Sequence, residues 1–164
     1  MLPRVALTLA FVLTGGTAIA AVPKSAGTFN DWSAWVYQEN GRKNCYIYSA
    51  ASKQAPARLN HGDVSFFVRS VPRTGTEANF TVGYDFAPGS TVRAEIGAAT
   101  FEMMTRGDNA WLVAAEKEKE LLAAMRGGDE MQLHARSRRG NETSYSFSRD
   151  GVTAALRQMQ KDCP

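Results

Sequence analysis

The stretch "DVSFFVRSVPRTGTEANFTVGYDF" (residues 63–86) decides the fold class. Asp63 to Val71 and Ala78 to Phe86 are two runs rich in β-branched and aromatic residues. In the second, Phe80, Val82 and Tyr84 alternate with polar or small residues. A period of two is what a strand with one buried face requires. The Pro, Gly and Thr residues of 72–77 predict a turn between the runs, so the pair reads as a hairpin. Gly83 interrupts the second run and predicts a bulge or the close approach of another backbone.

The same pattern extends in both directions. "DWSAWVYQ" (31–38) and "NCYIYSA" (44–50) flank the turn signal Glu39-Asn40-Gly41 and predict an earlier hairpin. "TVRAEI" (91–96) and "ATFEMMT" (99–105) are short strands around Gly97, and Gly107-Asp108-Asn109 turns the chain into "AWLVAA" (110–115). "EMQLHARSR" (130–138) and "ETSYSFS" (142–148) flank Gly140-Asn141 as a last hairpin. Between them, 52–62 is a loop containing Pro56. About eight strands with turn signals every 8–12 residues point to a mainly β chain, an antiparallel β-sandwich or barrel.

Helical signals occur twice. "AAEKEKELLAAMRGG" (114–128) is built from strong helix formers, sets Leu121, Leu122 and Met125 on one side, and stops at Gly127-Gly128. In "SRDGVTAALRQMQKDC" (148–163), Val152, Ala155, Leu156 and Met159 fall at i, i+3, i+4 and i+7, a core-facing stripe. Ser148 or Asp150 is positioned to cap its start.

The N-terminus sets the compartment. Arg4 precedes an uncharged run from Val5 to Leu13, and Ala18-Ile19-Ala20 forms a small-residue cleavage site. That run is far short of the roughly 20 residues a membrane-spanning helix needs. Residues 1–20 are therefore expected to be a signal peptide cut between Ala20 and Ala21. Residues 21–28 follow as a flexible lead-in, then one domain over 29–164, without a transmembrane anchor in the mature form. The expected location is the periplasm. There, the chain's two cysteines, Cys45 and Cys163, form an even count with a single intramolecular pairing. Their bridge would pin the last helix to an early strand; the alternative is two free thiols.

Charge argues against nucleic acid. The formal balance is +3, of which Arg4 supplies one, and the only cluster is Arg136 to Arg139, which reads as a solvated hairpin turn. Sites for chemistry are sparse. His61 lies in the 51–62 loop and His134 in a strand, and neither has a partner at metal-ligand spacing. No zinc, dithiol, nucleophile-elbow or phosphate-loop motif occurs. No catalytic residue, cofactor site or metal site is expected. Trp32 and Trp35 differ by an odd step and so face opposite sides of a strand, which leaves one of them, or the 51–62 loop, free to form a binding surface. Asn79 and Asn141 begin glycosylation sequons.

The ordered pieces "NDWSAW", "CYIYSAASKQAP", "AEIGAATFEMM", "DNAWLVAAEKEKELLAAMRGGDEM" and "ARSRRGNETSYSFSRDGVTAALRQMQKDC" together resemble the invasion-associated locus B family of secreted bacterial proteins. The likeness spans nearly the whole mature chain. Gly140-Asn141-Glu142-Thr143 stands where the family has Gly-Thr, and "SFSRDGV" where it tends to "SLxGF". The resemblance implies a periplasmic or outer-membrane-associated β protein linked to host invasion or envelope function, and it carries over no catalytic residue. The function expected is thus a non-enzymatic accessory or binding protein whose partner is an envelope component or another protein. A proteinaceous inhibitor of a periplasmic or host hydrolase, such as a lysozyme, is the alternative.

Overall fold

A computed structural model describes residues 22–72, 75–127 and 130–164; the expected signal peptide and its cut between Ala20 and Ala21 lie outside them. The chain forms β1 (Lys24–Phe29), β2 (Trp32–Glu39), β3 (Arg42–Ala50), β4 (Lys53–Ala55), β5 (Ser65–Val71) and β6 (Gly75–Thr81). It continues through β7 (Thr91–Ile96), β8 (Ala99–Arg106) and β9 (Asn109–Leu112) to a 3-10 turn, Ala115–Lys117, that leads into helix α1 (Glu118–Arg126). β10 (Glu130–Arg136), β11 (Glu142–Ser148) and helix α2 (Val152–Asp162) complete it. The hairpins expected at 31–50, 63–86 and 130–148 form, as do the short strands around Gly97, but the strand expected over Ala78 to Phe86 runs instead over Gly75–Thr81 and leaves Val82 to Asp85 outside it. The β2–β3 turn places Asn40 and Gly41 at φ 51° and 72°, the left-handed backbone that a two-residue hairpin needs.

The strands make one antiparallel sheet in the order β1-β2-β3-β5-β6-β9-β8-β7-β10-β11-β4. β3 and β4 are separated by only two residues, yet β4 is the far edge of the sheet. Ala51 N–H bonds Val64 O (3.0 Å), on the β5 side, while Ser52 N–H bonds Ser146 O (2.8 Å), in β11. One continuous stretch of chain therefore joins both ends, and the sheet closes into a barrel with β1 and β2 projecting from β3. Inward positions alternate along most of the ring's strands, with Ile47, Phe66, Val68, Phe80, Met103, Leu133 and Phe147 all buried. They fill the interior as a ring of about eight strands allows.

Trp32 seals the base, its indole N–H donating to Ser148 O (2.9 Å). α2 lies across β1, β2 and β3 and buries all four residues of the expected stripe. Cys163, just beyond α2, is disulfide-bonded to Cys45 in β3, the Cα atoms 6.0 Å apart.

Two other expectations change. Residues 21–28 are not a lead-in from Lys24 onward, because that segment pairs with β2 from Lys24↔Val36 to Phe29↔Trp32, with an irregularity between Ser25 and Gly27. Neither Ser148 nor Asp150 caps α2 with its side chain; Gly151 occupies the cap at φ 92°. A Cβ there would fall 1.7 Å from Phe29 O, so only glycine fits. Asp150 instead holds the β1–β2 turn, its Oδ1 accepting from Asn30 Nδ2 (2.8 Å) and its carbonyl from Asp31 N–H (3.3 Å). Among the described residues no helix is long and apolar enough to cross a membrane.

Candidate functional site

Three connecting segments meet at one end of the barrel. The loop after β4 turns at Pro56, whose carbonyl accepts from Leu59 N–H (3.1 Å), and Asn60 Oδ1 accepts from Gly62 N–H (3.0 Å). It then docks backbone to backbone on the segment following β6: Gly83 N–H donates to His61 O (2.9 Å). A Cβ on Gly83 would sit 2.5 Å from Gly62 Cα. The β10–β11 turn forms the third wall. Arg138 bonds Asp85 twice, by its N–H to the Asp85 carbonyl (2.8 Å) and by Nη1 to Oδ2 (3.1 Å). Between the walls lies an open cleft of about 560 Å³ lined by Asn60, His61, Tyr84, Asp85, Arg138 and Asn141 among others.

Beneath the cleft runs a continuous chain of hydrogen bonds. His61, 5% exposed, places Nε2 3.0 Å from Pro56 O and Nδ1 2.9 Å from the Tyr145 hydroxyl. Tyr145 donates to the Tyr84 hydroxyl (2.8 Å), Tyr84 and Thr143 share a 2.6 Å bond, and Thr143 donates to Ala135 O (3.1 Å). Burial pushes the Tyr145 phenol far above its ordinary range, against the lowering effect of its hydrogen bond to Thr143. Tyr84 is raised for the same reason, with its bonds to Thr143 and Tyr145 opposing. Both phenols therefore stay neutral.

The residues singled out from sequence separate. His61 forms the floor of the cleft, whereas His134 sits on β10 with Nε2 3.3 Å from Glu95 Oε2. Trp32 is core; Trp35 lies on the outer face, stacked on Tyr46 at 6.5 Å with an interplanar angle of 11°. Asn79 is part of β6 and donates Nδ2 to Ala110 O (3.2 Å). Arg136 pairs with Glu142 (3.5 Å) while Arg138 lines the cleft. The 51–62 loop is the cleft's wall. Sequence reading missed Tyr84, Thr143 and Tyr145; the available signal was a tyrosine at an inward strand position, whose hydroxyl must find a partner when buried.

Chemically, both His61 ring nitrogens are engaged by the protein itself, so neither is placed to take a proton from a bound molecule. Among the described residues no group of three or more His, Cys, Asp or Glu side chains is placed to hold a metal ion. The cleft instead offers guanidinium and amide donors, and the Asp85 carboxylate as acceptor, to a polar surface.

The crystal structure of invasion associated protein B from Bartonella henselae shares this fold. It aligns at a TM-score of 0.64 and 19% identity, over 85% of this chain and 95% of that one. No curated protein matches. The family described as Invasion associated locus B (IalB) protein matches residues 32–160, and the chain belongs to that family.

Proposed function

We propose that this protein is exported to the periplasm and acts there, at the cell envelope, as a non-enzymatic accessory or binding protein of the invasion-associated locus B type. Its partner is an envelope component or another protein, and its contact surface is the cleft walled by 56–62, 83–85 and 137–143. The observation that carries this reading is the floor of the cleft, where the buried imidazole has both nitrogens committed to Pro56 and Tyr145. A rigid scaffold presenting loops around such a recess is suited to recognition. The disulfide supports the compartment, since such bonds persist in oxidising surroundings.

Capture from envelope extracts tests the reading, comparing the wild type with Arg138→Ala/Asn141→Ala. The expected result is a component retained by the wild type and lost with the double variant. Identical capture by both would remove the cleft as the contact surface. Intact mass of the periplasmic protein tests the location: the expected species begins at Ala21 and takes up alkylating reagent only after reduction.

A further inference from the structure

The two sides of the barrel wall differ. Outward positions on β7 and β10 are polar, and there Arg93 and His134 both meet Glu95. On β2, β3 and β5 they carry rings: Trp35, Tyr37, Tyr46, Tyr48 and Phe67, each partly exposed. Alternation forces these side chains away from the core, because Ala34, Cys45, Ile47, Phe66 and Val68 between them point inward. Helix α2, bonded through Cys163 to Cys45, therefore braces the sheet from behind the rings.

The rings form one connected band. Tyr46 lies 6.5 Å from Trp35 with planes 11° apart, 6.2 Å from Tyr37 and 6.0 Å from Phe67, and Phe67 lies 5.1 Å from Tyr48. Trp35 is fixed by its indole N–H, which donates to Ser33 Oγ (2.8 Å). Side chains held this way on a paired sheet lose little freedom when a partner docks. The register Tyr48↔Phe67↔Asn79↔Trp111 carries the band onward over three strand spacings, about 14 Å.

Three features say what the band meets. Its charges cancel: Arg69, level with Tyr46, donates from Nε to Glu77 Oε1 (2.8 Å), and Glu39 and Arg42 are register partners at the hairpin end. A polyanion finds no uncompensated cation here. Each tyrosine joins an apolar face to a polar tip, and among the described residues none bonds the hydroxyls of Tyr37, Tyr46 or Tyr48. The exposed area is small. Five partly buried rings of about 150–250 Å² each when whole offer well under the roughly 800 Å² per side of a stable protein interface.

We infer that this face binds a neutral, ribbon-like glycan, of the kind that cellulose and chitin are, laid across the strands. The weakly positive C–H faces of successive sugar rings stack on the electron-rich aromatic faces. The phenol hydroxyls hydrogen-bond the sugar hydroxyls alongside. The length of the band suits a polymer over a single sugar.

The test uses the mature, oxidised protein with insoluble cellulose and chitin, and their soluble oligosaccharides as competitors. The wild type is expected to be retained by at least one polymer and released by its oligosaccharides, better by the tetrasaccharide than by the disaccharide. The same oligosaccharide should shift the tryptophan fluorescence of the wild type, a readout that needs no variant. Trp35→Ala and Tyr46→Ala should each weaken binding about tenfold, whereas Tyr46→Phe, which keeps the ring, retains most of it; urea midpoints check that each variant is folded. No retention of the wild type on either polymer, no fluorescence shift, or retention that both alanine variants share overturns the proposal. So does a protein from envelope extracts whose capture depends on Trp35 while both glycans are ignored, a result that gives the face to a protein partner. The face shares no residue with the cleft, so its failure is distinct from failure of the cleft as a contact surface.

Discussion

Gly83 joins two walls of the cleft because a side chain there has no room. Gly83→Ala is expected to cost about 1–3 kcal/mol, the usual range for overpacking, since the obstruction is backbone of Gly62 rather than a movable side chain. Gly127→Ala, with nothing within 4 Å of the new methyl group, is the control and should leave stability within about 0.5 kcal/mol. Urea denaturation of both measures the difference. The glycine was legible in the sequence as a break in a strand; which of the two reasons applied was not, because Gly62 lies outside the period-two run. His61 shows the harder case. Its hydroxyl partner Tyr145 is 84 positions away, and no local pattern links a loop histidine to a strand tyrosine that the closed ring brings beneath it.

At the scale of elements, the two helices carry opposite lessons. α1 opens on Glu118, buried with Oε1 accepting from Ala78 N–H (2.9 Å) and Oε2 without a partner. Burial raises this carboxyl above the ordinary glutamate range; the Ala78 bond opposes, and the nearby Glu77 charge adds to the rise. A raised folded-state value means stability that is present below the unfolded pKa and lost as pH rises through the folded one. Glu118→Gln keeps the Ala78 bond and removes the titration. Relative to the variant, the wild type should therefore grow less stable from pH 4 to pH 8, read by denaturation midpoints. α2 was legible down to each buried residue, because an amphipathic stripe is a local property. Its cap was not, since the acidic residue ahead of it is taken by Asn30 and Asp31. β1 was hidden for a related reason: Lys24–Phe29 has no alternation of its own, and its place is set by β2 and α2. Cys163→Ala frees α2 from β3 and should lower stability by about 2–5 kcal/mol, with faster amide exchange in α2 before the barrel strands.

The whole molecule is a ring closed by chain continuity at Ala51 and Ser52, with the N-terminal edge strand and the C-terminal helix packed on each other outside it. A mainly β chain was evident from alternation and turn spacing. Closure was not, because it depends on two adjacent amides bonding to opposite neighbours. Deleting residues 22–29 should lower the thermal midpoint by about 2–4 °C for each kcal/mol lost, where a mere lead-in would leave it unchanged; scanning calorimetry decides. The single disulfide spans 118 positions and encloses almost the entire barrel. A chain delivered from its N-terminus exposes Cys45 long before Cys163, so the cross-link waits for the last residues and seals strands that have already had time to pair. With two thiols there is no wrong intramolecular pairing to undo. Maturation of this protein calls for an oxidant and has no use for a disulfide isomerase.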